Sequence, residues 1–466
     1  MRLEHDFLGQ KAVPRNAYWG IHTQRALENF CLSSQKVHPR LIKALAIIKI
    51  SAAQANMELG DLSEDLAFAI IEAGSEIIAG KFEDQFPIDA LQGGAGTSSN
   101  MNVNEVIANR ATEILGGTKG QYLVSPLDHV NMHQSTNDVY PTALRMAAIQ
   151  MLLPLSEQIA ELQDTLQEKE AEFAGILKPG RTQLQDALPV TLGQEFSAWA
   201  QAVSRDRWRI YKVEERLRQV NLGGTAVGTG LNAPREYIYL VIEKLRQNTG
   251  IGLARAENMM DVTQNADVFT EVSGLLKAAA VNLNKIANDL RLLSSGPYTG
   301  LGEITLPEMQ AGSSIMPGKV NPIIPEAVNQ SAFQVMACDL AVTLACQNGQ
   351  LEINQFLPLV AHNLLSAIDV LANSAKILSD KCIKGIQANH ERCTELIEKS
   401  LITAPVLLPH LGYEKTAQVV KSARKEKIPV RQAVKELGYL TDQEIESILD
   451  YRKLARPGIA GQTERR

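Results

Sequence analysis

The chain alternates between long stretches whose apolar residues recur at helical spacing and short stretches with few apolar residues. Residues 139–177 (VYPTALRMAAIQMLLPLSEQIAELQDTLQEKEAEFAGIL) are rich in Ala, Leu, Gln and Glu, and their apolar positions follow the α-helical period. This predicts one long helix, with Pro154 kinking it or accommodated by its neighbours. Further helices are expected over 191–220, 267–295, 324–348 and 350–380, with shorter ones over 41–60 and after Asn100. Several exceed the roughly 10–14 residues of an average globular helix. Alternating strand–helix–strand units are absent and β-branched runs are few. The expected fold class is therefore all-α, built on a bundle of long helices. Three segments are expected: an N-terminal helical domain (1–136), a central long-helix bundle (137–392), and a small C-terminal helical domain (393–466), where the periods shorten and charge rises (KSARKEKIPV).

With 466 residues, 45% of them hydrophobic, the chain can bury a large core. A net charge of −6 argues against a nucleic-acid surface. The five cysteines (Cys31, Cys338, Cys346, Cys382 and Cys393) are odd in number and form no CxxC pair. This is the usage of a reduced, cytoplasmic protein, and they are expected to pack inside helices. The opening MRLEHDFLGQ lacks an apolar leader, and no run reaches the ~18 apolar residues of a membrane span, so neither export nor membrane insertion is expected.

The polar stretches between the helices change this picture. QGGAGTSSNMNVNEV (92–106), HQSTNDVYP (133–141), GRTQLQD (180–186), GGTAVGTGLN (223–232) and SSGPYTGLGEITLPEMQAGSSIMPGKVNP (294–322) are dense in Gly, Ser, Thr and Asn. A helix is expected to start near Asn100 or Asn102, leaving Thr97, Ser98 and Ser99 at its N-terminal end. Ser135, Thr136 and Asn137 precede the long helix, with Pro141 near its first turn. Such residues either cap the helices or, because helix N-termini favour anions, hold the two carboxylates of a small diacid. Thr182 and Gln183 either stabilise a turn or hold an amine or carboxylate, since Gln donates and accepts. In 311–322, Ser313 and Ser314 sit on an irregular backbone set by Gly312, Pro317 and Gly318, with Lys319 and Asn321 close behind. This is either a solvated surface turn or a site for proton abstraction next to a carboxylate, in which backbone amides and a cation lower the pKa of a serine.

Other chemistries lack their motifs. There is no GxSxG elbow, no GK[ST] after the glycines of 223–230, and no strand before the G-x-G pairs. His129 and His133 are four apart and could share a helical face, but no third ligand accompanies them, so no metal site is expected.

GSSIMPGKVNP (312–322) resembles the signature loop of the aspartase/fumarase superfamily. GGAGTSSNMNVNEV, QSTNDVYPT, GRTQLQDALPVTLGQEF and GGTAVGTGLN match the same family in the same order, and the likeness runs from YWGIHTQRALENF (18–30) to the C-terminal PGIAG. The resemblance implies an all-α, three-domain protein and a homotetramer with active sites built from loops of three subunits. It also implies a reversible elimination that yields fumarate. Fumarate hydratases typically read GSGTQSNMN, QSSND and GRTHxQDA, whereas this chain reads GAGTSSNMN, QSTND and GRTQLQDA, as aspartate ammonia-lyases do. That branch implies L-aspartate as substrate, fumarate and ammonia as products, and no required cofactor; fumarate hydration and a lyase of a modified aspartate are the alternatives. Carried over by motif, the resemblance implies Ser313 as the base that takes the C3 proton. It implies Ser314, Ser135 and Thr136 at the β-carboxylate, Lys319, Asn321 and Thr182 at the α-carboxylate, and Thr97, Asn137 and Gln183 around the amino group. Two positions depart from the pattern: Tyr298, where most relatives carry arginine, and Leu357, where aspartases commonly carry glutamate.

Overall fold

The computed structural model describes residues 1–451 and 453–462. The five long helices read from the periodicity are Thr136–Glu172, Leu192–Leu217, Asp267–Leu293, Ile323–Gln347 and Leu357–Lys381. Their bounds lie within a few residues of expectation, except that the last starts at Leu357 and not at 350. Residues 350–356 instead form a tight turn: Gln350 bridges to Ile353, Leu351 has φ +54°, and the Asn354 amide donates to the carbonyls of Ala345 and Cys346. Among the described residues no helix is long and apolar enough to cross a membrane.

The chain divides into two compact units. The first comprises Met1–Ser156, Trp208–Ala280 and Phe333–Ala372. Its shorter helices include Pro39–Leu59, which starts at a proline after His38, whose side chain accepts from the Arg40 N–H, and ends at Gly60 with φ +82°. Leu41, Leu45, Ile48 and Ala52 give this helix a buried face. It packs against Glu64–Ile78 at Gly74, where a β-carbon would lie 2.8 Å from the Ile50 side chain. An antiparallel hairpin, Arg2–Asp6 with Gly9–Val13, belongs to the same unit.

The second unit comprises Glu157–Arg207, Val281–Ala332 and the residues from Asn373 onward. Its C-terminal part packs Leu407, at the end of the Ala404–Leu407 turn, with Val419, Ala433, Val434 and Ile448 from Leu408–Glu426, Val430–Glu436 and Asp442–Ile448 into one apolar cluster. A reciprocal Thr441–Glu444 capping box starts the last of these helices.

Three local expectations are corrected. Residues 180–186, read as a polar loop between helices ending at 177 and starting at 191, lie in an antiparallel hairpin of Leu177–Thr182 and Gln185–Thr191. Pro179 and Gly180 hide these strands from a pattern reading, and the register shifts between Pro179 and Arg181. His129 and His133 share no helix face; they lie in a run of turns, and His133 has φ +59°. Cys31 is exposed and lies past the end of the Ile21–Asn29 helix, while Cys338, Cys382 and Cys393 are buried.

Candidate active site

In the first unit three of the polar loops are joined. The Thr97–Ile114 helix begins at Thr97, earlier than the sequence suggests. Its cap is Gly96, with φ +93° and no side-chain capping bond; a β-carbon there would collide with the buried Tyr140 ring. Ser98, Ser99 and Asn100 are therefore buried in the first turn and not left ahead of it. Ser99 donates through both N–H and Oγ to Gln92 Oε1, at 3.2 and 3.0 Å. Asn100 Nδ2 donates to Thr136 Oγ1 at 3.1 Å, tying the first turn of this helix to the first residue of the Thr136–Glu172 helix.

The second helix start is capped reciprocally. Ser135 Oγ accepts from the Asn137 N–H at 3.2 Å, and Asp138 Oδ1 accepts from the Ser135 N–H at 3.0 Å. Asp138 is fully buried, and its other oxygen accepts from the N–H groups of Gly223 and Thr225, at 3.0 and 2.9 Å. Burial pushes this carboxyl up to about 7, against the pull of those three N–H groups and the Lys49 charge. Pro141, inside the helix, has no N–H for the Asn137 carbonyl; the Asn221 amide supplies that bond at 3.1 Å.

Beneath both helix starts lies a buried polar network that sequence reading missed. Asn131 Oδ1 accepts from Lys49 Nζ (3.0 Å), Asn100 Nδ2 (3.2 Å) and Asn104 Nδ2 (3.1 Å), and Lys49 Nζ also donates to Gln134 Oε1 at 2.8 Å. Lys49 is fully buried, and desolvation pulls its ammonium down to about 7. The available signal was a lysine inside an apolar helical run, IIKISAA (47–53).

The remaining site residues lie in the second unit. Thr182 and Gln183 are exposed at the hairpin tip, where Gln183 and Leu184 both take positive φ (54° and 61°), as a two-residue type I′ connection requires. The base of this hairpin is held by the fully buried Glu303, which pairs with Lys178 Nζ at 3.1 Å and Arg181 Nη2 at 2.8 Å. Glu303 precedes the Ile304–Thr305 strand, which leads into the segment that ends in the signature loop.

The signature loop closes on itself. The Gly312 N–H donates to the Lys319 carbonyl at 2.8 Å, and Asn321 Nδ2 donates to the Gly312 carbonyl at 2.8 Å. A β-carbon at position 312 would sit 2.5 Å from the Lys319 carbonyl oxygen, so the closure requires glycine. Inside the loop, Ser313 Oγ accepts from the N–H groups of Ile315 and Met316, at 3.2 and 3.0 Å. Lys319 Nζ donates to Asn321 Oδ1 at 2.9 Å and, among the described residues, pairs with no carboxylate. Ser314 is exposed. The loop borders a cleft of about 370 Å³, lined in part by Glu308, Ser313 and Lys319. Tyr298 is exposed, and Leu357 is buried in the core.

The structure thus joins the surroundings of Thr97, Ser135, Thr136 and Asn137 in one unit. In the other it anchors the Thr182–Gln183 hairpin through Glu303 and arranges Ser313, Lys319 and Asn321 within one loop. Residues 9–337 match the lyase family, and residues 401–456 match the fumarase C C-terminal family. The chain belongs to the aspartase/fumarase lyases. Among members of this family, an aspartate ammonia-lyase of a Bacillus species is 49% identical over 463 residues, covering 99% of each chain. The crystal structure of a fumarate lyase:delta crystallin from Brucella melitensis bound to cobalt superimposes with a TM-score of 0.95 at 47% identity, over 98% of this chain and 100% of that one. The class II fumarase of Schistosoma mansoni has the same fold, with a TM-score of 0.94, at 35% identity over 98% of this chain and 99% of that one. The lyase fold is therefore shared across the family, while identity is higher to the ammonia-lyase than to the fumarase.

Proposed function

We propose that the protein is an aspartate ammonia-lyase, a carbon–nitrogen lyase that converts L-aspartate reversibly to fumarate and ammonia. The observation that carries the catalytic reading is Ser313 Oγ, which already receives two backbone N–H groups. Those donors stabilise negative charge on that oxygen, so they lower the cost of the alkoxide that a base requires.

In this reading the Ser313 alkoxide takes a proton from C3. The electron pair of that bond forms the C2–C3 double bond, and the C2–N bond breaks with its pair leaving on ammonia. Before the C–N bond breaks, negative charge collects on the β-carboxylate, where Ser314, Ser135 and Thr136 supply hydroxyl donors. Lys319, Asn321 and Thr182 hold the α-carboxylate, the lysine through a charge-assisted bond. Thr97, Asn137 and Gln183 surround the departing amine. The step moves one proton and one leaving group, and calls for no redox or electron-sink cofactor.

We further propose a cytoplasmic homotetramer in which each site takes loops from three subunits. In support, one face of the Ile323–Gln347 helix leaves Phe333, Leu340 and Leu344 exposed, 57%, 61% and 48% accessible, at the spacing of a helix–helix seam.

The test is the ultraviolet absorbance of fumarate with L-aspartate alone, with L-malate alone, and with fumarate plus ammonium. Fumarate formed from aspartate and consumed with ammonium is expected. Formation from malate alone would make the protein a hydratase. Silence in all three would point to a modified aspartate.

A further inference from the structure

The GGTAVGTGLN loop takes no part in the mechanism above, yet its backbone is held in a costly shape. Thr225 is a buried, non-glycine residue with φ +56°, flanked by Gly223 at +90° and Gly228 at +87°. A β-carbon at Gly228 would lie 2.5 Å from the Met260 Cα, so the loop also fits tightly against its neighbour. Left-handed conformations in non-glycine residues persist only where the surroundings enforce them. Here the enforcing groups are Asp138, which accepts the N–H groups of Gly223 and Thr225, and the Leu231 carbonyl, which accepts from Thr225 Oγ1 at 2.9 Å.

The consequence of that shape is a single contact. The Ala226 carbonyl, exposed at the crest of the loop, accepts from Asn137 Nδ2 at 2.7 Å. A primary amide carries two N–H donors on its nitrogen and an acceptor oxygen. With one N–H committed to Ala226, the Asn137 amide is held in one orientation, which leaves its oxygen and one N–H for substrate. The oxygen suits an ammonium or amine N–H, a donor that a carboxylate cannot supply.

We infer that Asp138 is a positioning residue which, through the 223–226 loop and the Ala226 carbonyl, fixes the orientation of the Asn137 amide and so presents its oxygen to the substrate amino group. This rests on the ammonia-lyase reading. Asp138 touches no substrate; it sets the loop that orients the residue that does. The Asn137 carbonyl, held by the Asn221 amide, fixes the other side of the same residue.

The test separates amine recognition from diacid recognition. In the fumarate-plus-ammonium direction, KM for ammonium reports the amine contact; the inhibition constant of succinate, a diacid with no amine, reports the carboxylate contacts. In Asp138→Asn one carboxylate oxygen becomes an NH2 that faces backbone N–H donors, so one side of the clamp is lost. Asp138→Asn is expected to raise the ammonium KM about tenfold, with the succinate constant changed by less than about twofold. Asn137→Ala should do the same, and the double variant should be no worse than Asn137→Ala alone, because Asp138 acts through Asn137. Thr225→Gly keeps the N–H that Asp138 accepts and suits positive φ, so its ammonium KM should stay near that of the unaltered protein. A parallel rise in both constants, or additive effects in the double variant, would overturn the inference. Should Asp138→Asn not assemble, Ala226→Gly takes its place: it loosens the carbonyl without touching the core, and an unchanged ammonium KM would be equally fatal. If the unaltered protein fails to release fumarate from aspartate, the ammonia-lyase reading itself falls, and that result is visible before any variant is made.

Discussion

Arg181 Nη2 lies 2.8 Å from Glu303 Oε1, and that pair joins the hairpin carrying Thr182 and Gln183 to the segment that ends in the signature loop. Glu303 is fully buried, and its second oxygen faces the equally buried Lys178. Glu195 also pairs with Lys178, at 2.7 Å, so two cations share two carboxylates here. Removing the Glu303 carboxylate leaves Lys178 with Glu195 alone and strips Arg181 of its carboxylate partner.

Glu303→Gln should therefore destabilise the protein by about 3–5 kcal/mol, the usual cost of breaking a buried pair from one side. Urea unfolding followed by circular dichroism would measure it. A loss below about 1 kcal/mol would mean that water or a rearranged partner replaces the carboxylate. Activity of whatever remains folded should fall as well, because the hairpin tip loses its anchor.

Ser313→Ala should lower turnover on the order of 10²–10⁴-fold, the range of one general base, while unfolding stays within about 0.5 kcal/mol of the parent because the loop is largely exposed. Substantial residual activity would remove Ser313 from the role of base. Gly312→Ala tests the loop and not the hydroxyl. The added β-carbon meets the Lys319 carbonyl at 2.5 Å, so the Gly312–Lys319 closure must open. Turnover should fall at least about tenfold with little change in thermal stability, since the strain is confined to an exposed loop. Both variants are read by fumarate absorbance and a melting curve.

Lys49 gives a pH signature. Burial lowers its pKa from 10.5 to about 7, with only the Asp138 charge pulling it back up. Between these values the unfolded chain holds a proton that the folded chain has released, so raising the pH favours the fold. The neutral amine can still donate to Asn131 and Gln134, and the network survives deprotonation. Relative to Lys49→Met, the unaltered protein should gain about 1–2 kcal/mol of stability from about pH 7 to about pH 9. Parallel stability–pH curves for the two proteins would show that Lys49 is not depressed.

How far the fold could be read in advance follows from where its constraints lie. The long helices with one buried face were legible because their burial is written as a period along one segment; Leu192–Leu217 and Asp267–Leu293 needed nothing else. The start of the Thr97–Ile114 helix was misplaced because the sequence rule looks for a hydroxyl cap. Here the cap is Gly96, whose conformation is set by contact with Tyr140, more than forty residues away. The 177–191 hairpin was hidden by Pro179 and Gly180, and only pairing with the returning strand makes those residues a strand. The same division holds at the site. Ser313, Lys319 and Asn321 interact within ten residues and could be found as a cluster. Lys49, Asn131 and Glu303 act through partners far along the chain, and a lone buried Lys or Glu in a sequence carries no address.

The exposed apolar stripe on the Ile323–Gln347 helix tests the assembly. Phe333, Leu340 and Leu344 project from a helix whose other face buries Val328, Val335, Cys338 and Val342. A long helix with two apolar faces needs a second neighbour, and each large side chain newly buried contributes about 1.5–3 kcal/mol. Leu340→Lys places a charge at the centre of that face. It should shift the protein from the proposed tetramer to smaller species in sedimentation velocity, with helix content preserved, because nothing in the buried face is altered. If sites are completed by neighbouring subunits, fumarate formation per chain should fall at least about tenfold and recover as protein concentration drives reassembly. A dissociated Leu340→Lys protein with full activity at every concentration would show that each chain carries a complete site of its own.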